Sequence, residues 1–150
     1  MNRNEFVQFM DSQLKLIRTE YGLNQEDMAN FLGLSKKSVV EIEKGRNSLG
    51  WKGAVVCASV FSNSNILIHS IGGDITDFII AIAFNNKETH YPKTLGGKIW
   101  WKEIESANGY VIQQNMISHH YRLLDPQKGR RFASFNLILC QEMLLSYQAN

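Results

Sequence analysis

From Asn24 to Gly45 the chain reads Asn-Gln-Glu-Asp-Met-Ala-Asn-Phe-Leu-Gly-Leu-Ser-Lys-Lys-Ser-Val-Val-Glu-Ile-Glu-Lys-Gly, two short apolar-patterned segments on either side of one glycine. Asn24 is a favourable helix cap, and Asp27 three positions on supplies a variant of the capping box. Met28, Phe31 and Leu32 then provide apolar contacts for a helix that ends at Gly33. Ser35 caps the next helix, through about Lys44, in which Val39 and Ile42 share a face while Lys36, Lys37, Val40 and Glu41 lie on others. Each spacing has a physical use. A small Ala29 lets the two helices approach closely, Gly33 allows the tight turn between them, and Val39 and Ile42 anchor the second helix on a core. The outer face of that helix is left free to enter a groove.

Working outward, Phe6, Phe9, Leu14, Ile17 and Tyr21 recur at helical intervals upstream, with a stop at Gly22. Downstream, Trp51, Ala54, Val55, Ala58 and Phe61 make a fourth stripe, and Ile66 to Ile71 a short fifth helix. The cluster Gly72-Gly73-Asp74 follows a polar turn at Ser62 to Asn65 and divides the chain into expected domains 1–72 and 73–150. Beyond it, residues 74–84 read as a helix apolar on nearly every side, which implies burial between domains or subunits. Residues 98–107 read as a helix stopped at Asn108-Gly109. Tyr110 to Gln114 and Ser118 to Leu124 read as two strands joined by a glycine-free turn, the second ended by Asp125-Pro126. Phe132 to about Tyr147 is expected to be a closing helix with Phe135, Ile138, Leu139, Met143 and Leu144 in a broad apolar band.

The pattern Gln25-x3-Ala29-x3-Gly33-x5-Val39-x2-Ile42-Glu43, with Arg18 upstream, resembles the lambda-repressor-like Xre family of helix-turn-helix regulators over residues 12–70. The expected fold is therefore mainly α: a five-helix lambda-repressor-like DNA-binding bundle, followed by a small α+β domain with a β-hairpin. In that family the second of the two helices lies in the major groove and reads base edges. The resemblance implies Lys36, Lys37 and Glu41 as base readers here. Lysine donates to guanine O6 and N7, and a carboxylate can accept from the cytosine amino group. Glu41 also has an alternative, an ion pair with a neighbouring lysine. Gln25 matches a glutamine that clamps phosphate, helped by the partial positive charge at a helix N-terminus. Arg18 and Glu43 match an ion pair inside the domain, structural rather than DNA-contacting. Between Lys36 and Lys52 five basic residues stand against two acidic ones, a net +3, and Ser38, Lys44, Arg46 and Asn47 are expected phosphate partners that fix register.

The whole chain of 150 residues carries sixteen basic and fourteen acidic side chains, a net +2, so basicity is focused on that segment. With 44% apolar residues the chain can bury a core, which excludes disordered and collagen-like classes. No repeat or low-complexity tract is present. Cys57 and Cys140 lie in apolar segments with neither metal spacing nor a disulfide framework, and read as reduced core thiols of a cytoplasmic protein. Charges at Arg3, Glu5 and Asp11 argue against a secretory signal. Ile75 to Phe84 contains Asp77 and is about half the roughly 20 residues needed to span a membrane.

In the second half, His119-His120 would point to opposite faces of a strand, which opposes chelation of one ion, so neither a metal nor a catalytic site is expected. Trp100-Trp101 is expected to pack in a core or interface, the alternative being a stacking platform for single-stranded nucleic acid. Thr94-Leu-Gly-Gly-Lys98 lacks the spacing of a phosphate loop, and Lys128-Gly-Arg-Arg131 is a basic turn, either solvated or reaching phosphate. The expected function is a sequence-specific transcriptional regulator, a homodimeric repressor on a palindromic operator, with no enzymatic step and no cofactor. Its second domain is expected to dimerise or to sense a small-molecule, peptide or protein effector. The alternative is a protein-interaction module such as an autoregulating antitoxin or anti-repressor.

Overall fold

The computed structural model describes residues 1–85, 87 and 100–149. It separates into two compact units, Met1–His90 and Tyr91–Asn150, each with its own core. Among the described residues the first unit holds helices α1 (Arg3–Glu20), α2 (Gln25–Leu32), α3 (Lys36–Glu43), α4 (Gly50–Val60), α5 (Asn65–Ile71) and α6 (Ile75–Phe84). The second holds strands β1 (Trp101–Ala107), β2 (Tyr110–Asn115), β3 (Tyr121–Leu124) and β4 (Arg130–Ser134), then α7 (Leu137–Gln148). The protein is thus mixed α+β with more helix than strand, rather than mainly α.

Helix boundaries in the first unit follow local capping chemistry. Asn24 and Asp27 form a reciprocal capping box at α2, Ser35 accepts from the Ser38 N–H at α3, and Asp74 accepts from the Thr76 and Asp77 N–H groups at α6. Between α2 and α3, Gly33 adopts a left-handed conformation with φ of 68°, which an L side chain enters only with strain. The core is built from Phe6, Met10, Leu14 and Ile17 of α1, Met28 and Ala29 of α2, Val39 and Ile42 of α3, Ala54, Cys57 and Ala58 of α4, and Leu67 of α5. Phe6 binds three helices together, packing edge-on against Trp51 of α4 and Phe78 of α6.

Two acidic side chains of α1 reach other helices. Asp11 accepts from the Leu49 N–H at 2.8 Å, closing the start of α4. Glu20 accepts from the Ser64 hydroxyl and, at 2.7 Å, from the Asn65 N–H, closing the start of α5. A boundary near residue 72 would separate α6 from this core. Instead Ile75 is buried in it and Phe78, Ile79 and Ile82 pack against it, so α6 belongs to the first unit and one of its faces is already used.

The second unit is an antiparallel meander of order β1-β2-β3-β4. Three sequence expectations are corrected here. Residues 101–107 form strand β1 rather than a helix. Its register with β2 shifts between Glu103 and Glu105, and its residues are largely exposed, so an edge strand rich in helix-forming charged residues lacks the alternation that marks a strand. Phe132 lies on β4, not in the closing helix, which starts only after Asn136 caps it. His119 is not on a strand either: with φ of 62° it takes the left-handed place in the β2–β3 turn that a glycine would otherwise fill. The turn is held by Asn115, whose Oδ1 accepts from the N–H groups of Ile117 and Ser118. α7 covers one sheet face, with Cys140 and Leu144 packed on Ile112 and Leu123. The expected start of a helix at 98–99 and the Thr94–Lys98 segment lie outside the described residues.

Candidate nucleic-acid interface

The α2–α3 pair is locked from within by a side-chain network. Arg18 Nε donates to Glu43 Oε1 at 2.6 Å and its Nη2 to Oε2 at 3.2 Å, while its Nη1 reaches the Leu23 carbonyl at 2.9 Å. Both side chains are largely covered, 16% exposed for Arg18 and 5% for Glu43. Gln25, at the first turn of α2, donates its amide nitrogen to Glu43 Oε2 at 3.0 Å. One carboxylate therefore gathers α1, α2 and the end of α3. Burial alone pushes the Glu43 carboxyl up, but hydrogen bonds from Arg18 and Gln25, with the guanidinium charge, outweigh it and hold the group below its ordinary value. The hydrogen bond to Glu43 correspondingly raises Arg18.

The outer surface of α3 follows from helical geometry. At about 100° per residue, Val39, Ile42 and Glu43 fall on the inner arc, and Lys36, Val40, Lys44, Lys37 and Glu41 on the outer one. Burial agrees: Val39 and Ile42 are enclosed, whereas Lys36, Lys37 and Lys44 are exposed. Among the described residues those three lysines form no ion pair. Glu41 lies 3.9 Å from Arg46, a long contact between solvated side chains, so its carboxylate faces an arginine rather than a lysine. Ser38 is tied back into the cap, its hydroxyl 2.9 Å from that of Ser35. Asn47 accepts from the Ser48 N–H and, with Arg46, is exposed beyond the end of α3.

A shallow depression of about 210 Å³ lies between the start of α2 and the start of α3, lined by Asn24, Gln25, Glu26 and Lys36. It brings a helix N-terminus and an unpaired lysine to one place. The expected site residues thus divide. Lys36, Lys37, Lys44, Arg46 and Asn47 share the exposed surface, Ser38 is occupied with capping, and Gln25 is joined to the Arg18–Glu43 pair. The link from Gln25 to Glu43 was invisible in the sequence because it joins residues eighteen positions apart through the packing of two helices.

In the second unit the basic turn after β3 is organised by Asp125. Its Oδ1 accepts from the Gly129 and Gln127 N–H groups, and its Oδ2 from Arg131 Nε at 2.8 Å. The Gly129 bond and the Arg131 contact together hold that carboxyl below its ordinary value. Arg131 is therefore structural, and Lys128 and Arg130 remain exposed. No group of three or more histidine, cysteine, aspartate or glutamate side chains comes together as a metal site among the described residues. No single helix among them is long and apolar enough to cross a membrane. Comparison with family models, curated proteins and solved structures finds no match to this chain.

Proposed function

We propose that this chain is a sequence-specific regulator that binds double-stranded DNA by laying α3 in the major groove, acting as a homodimeric repressor without a catalytic step. The observation that carries this reading is the two-sided character of α3. Its inner arc is immobilised by Val39, Ile42 and the Arg18–Glu43–Gln25 network, and its outer arc presents Lys36, Lys37 and Lys44 without counter-ions among the described residues. A rigid helix with uncommitted donors suits base-edge recognition, since each well-made contact contributes roughly 1 to 3 kcal/mol of discrimination. Arg46 and Asn47 are read as phosphate partners that set register. Dimerisation is read onto the second unit, where the outer side of α7 leaves Ile138, Leu139 and Leu145 exposed. Two-fold symmetry would match a palindromic operator with half-sites one helical turn apart.

Selection on random duplexes at fixed salt, followed by titration of the selected sequence, tests this. Lys36→Ala and Lys37→Ala are expected to relax preference at particular bases. Arg46→Ala is expected to weaken all sequences alike and to reduce the salt slope by about one. Equal losses on selected and random DNA for all three variants would defeat the assignment of base readers.

A further inference from the structure

The sheet of the second unit has a face turned away from α7. Strand register places Trp101, Gln113, Arg122 and Ala133 on it, since Ile112, Leu123 and Phe132 occupy the α7 side. Ala133, directly opposite Arg122, is exposed, so this end of the face is open. Arg122 lies flat over Trp101, its guanidinium carbon 3.7 Å from the ring centroid, and its Nε donates to Gln113 Oε1 at 2.9 Å. Trp101 meets His120 edge-on at 5.0 Å, and His120 leans on Phe135 at 5.8 Å. Phe135 is 77% exposed.

Arg122 is held from behind but unanswered in front. Neither of its Nη groups has a hydrogen-bond partner among the described residues, and neither is fully enclosed, since no fully buried side-chain nitrogen or oxygen there lacks a partner. Among the described residues no carboxylate pairs with it, in contrast to Arg131 with Asp125, and Glu103, across from Gln113 on the same face, forms no ion pair. Partial burial and the charge of Arg130 both push Arg122 below its ordinary value. A pre-oriented guanidinium fork attracts a planar or tetrahedral anion. The exposed Phe135 ring, linked to Trp101 through His120, adds a stacking surface nearby.

We propose that this face binds single-stranded nucleic acid, the Arg122 fork taking a backbone phosphate while Phe135 and the outer guanidinium plane stack adjacent bases. Single strands fit because their bases are free to stack on protein, whereas duplex bases are stacked on one another. This site shares no residue with α3 and stands independently of the duplex-binding reading.

The test uses the full chain and a short fluorescein-labelled oligo-dT at low salt, followed by anisotropy. Binding is expected to persist in Lys36→Ala/Lys37→Ala and to fall roughly ten-fold in Phe135→Ala and in Arg122→Gln, with duplex affinity unchanged in both. The exposure of Phe135 separates its loss of binding from unfolding, which circular dichroism checks. Failure of the wild-type chain to bind oligo-dT, or wild-type affinity in either variant, would overturn the proposal. So would equally effective competition by inorganic polyphosphate or by a phosphopeptide, since either would show recognition of charge without bases.

Discussion

Glu43 is the residue on which the α2–α3 segment depends, because one carboxylate serves Arg18 and Gln25 together. Replacing it by glutamine leaves a largely covered guanidinium without its counter-charge. Glu43→Gln is expected to cost about 3 kcal/mol in urea denaturation, in the range for a broken buried pair. Its carboxyl, like those of Glu20 and Asp125, is held below its ordinary value in the fold. Depressed folded values mean that these groups contribute stability above the unfolded carboxylate range and lose it as pH falls through the folded one. Stability should therefore decline as pH drops below about 4, and the Glu43→Gln variant should lose less over that interval. Cys57 is fully enclosed, and burial pushes its thiol up to about 12, while burial also raises Cys140. Neither thiol should react with an aromatic disulfide reagent at pH 8 until denaturant is added.

At the scale of elements, the helices whose ends carry their own signals were legible. Asn24, Ser35 and Asp74 cap the helices they precede, and Gly33 takes the left-handed turn its spacing suggested. Gly33→Ala meets no atom within 4 Å, so its expected cost of about 1 kcal/mol is backbone strain alone. Asn24→Ala should cost a similar amount, about 1 kcal/mol, through loss of the cap, with both read from urea midpoints. Strand β1 was misread because Lys102, Glu103 and Glu105 are ordinary helix-surface residues, and only pairing with β2 makes them a strand. β4 was hidden for a related reason: the short Arg130–Ser134 run does not mark a strand by itself, and pairing with β3 makes it one.

At the scale of the molecule, two separate cores predict two separable folding units. Leu123 is fully enclosed in the second core, so Leu123→Ala is expected to destabilise that unit by roughly 2 to 4 kcal/mol. Hydrogen exchange should then quicken in β2, β3 and α7 and remain unchanged in α1 to α5. Uniform quickening along the chain would show a single cooperative unit instead. The candidate duplex surface was largely legible because Lys36, Lys37 and Lys44 belong to one short helix. The open face of the sheet was not, because Trp101, Arg122 and Phe135 come from three different places in the chain and meet only through strand register.

What the amino-acid order determined on its own was carried by near neighbours: the starts of α2, α3 and α6 at their caps, the tight turn at Gly33, the apolar arc of α3 and the lysines opposite it. Tertiary structure alone decided that α6 joins the first core, that residues 101–107 pair as a strand, that Gln25 turns to Glu43, and that Arg122 rests on Trp101. The physical reason is range. A cap or an amphipathic stripe is settled within one or two turns of backbone, whereas an ion-pair network or a sheet edge depends on which distant segment returns to meet it.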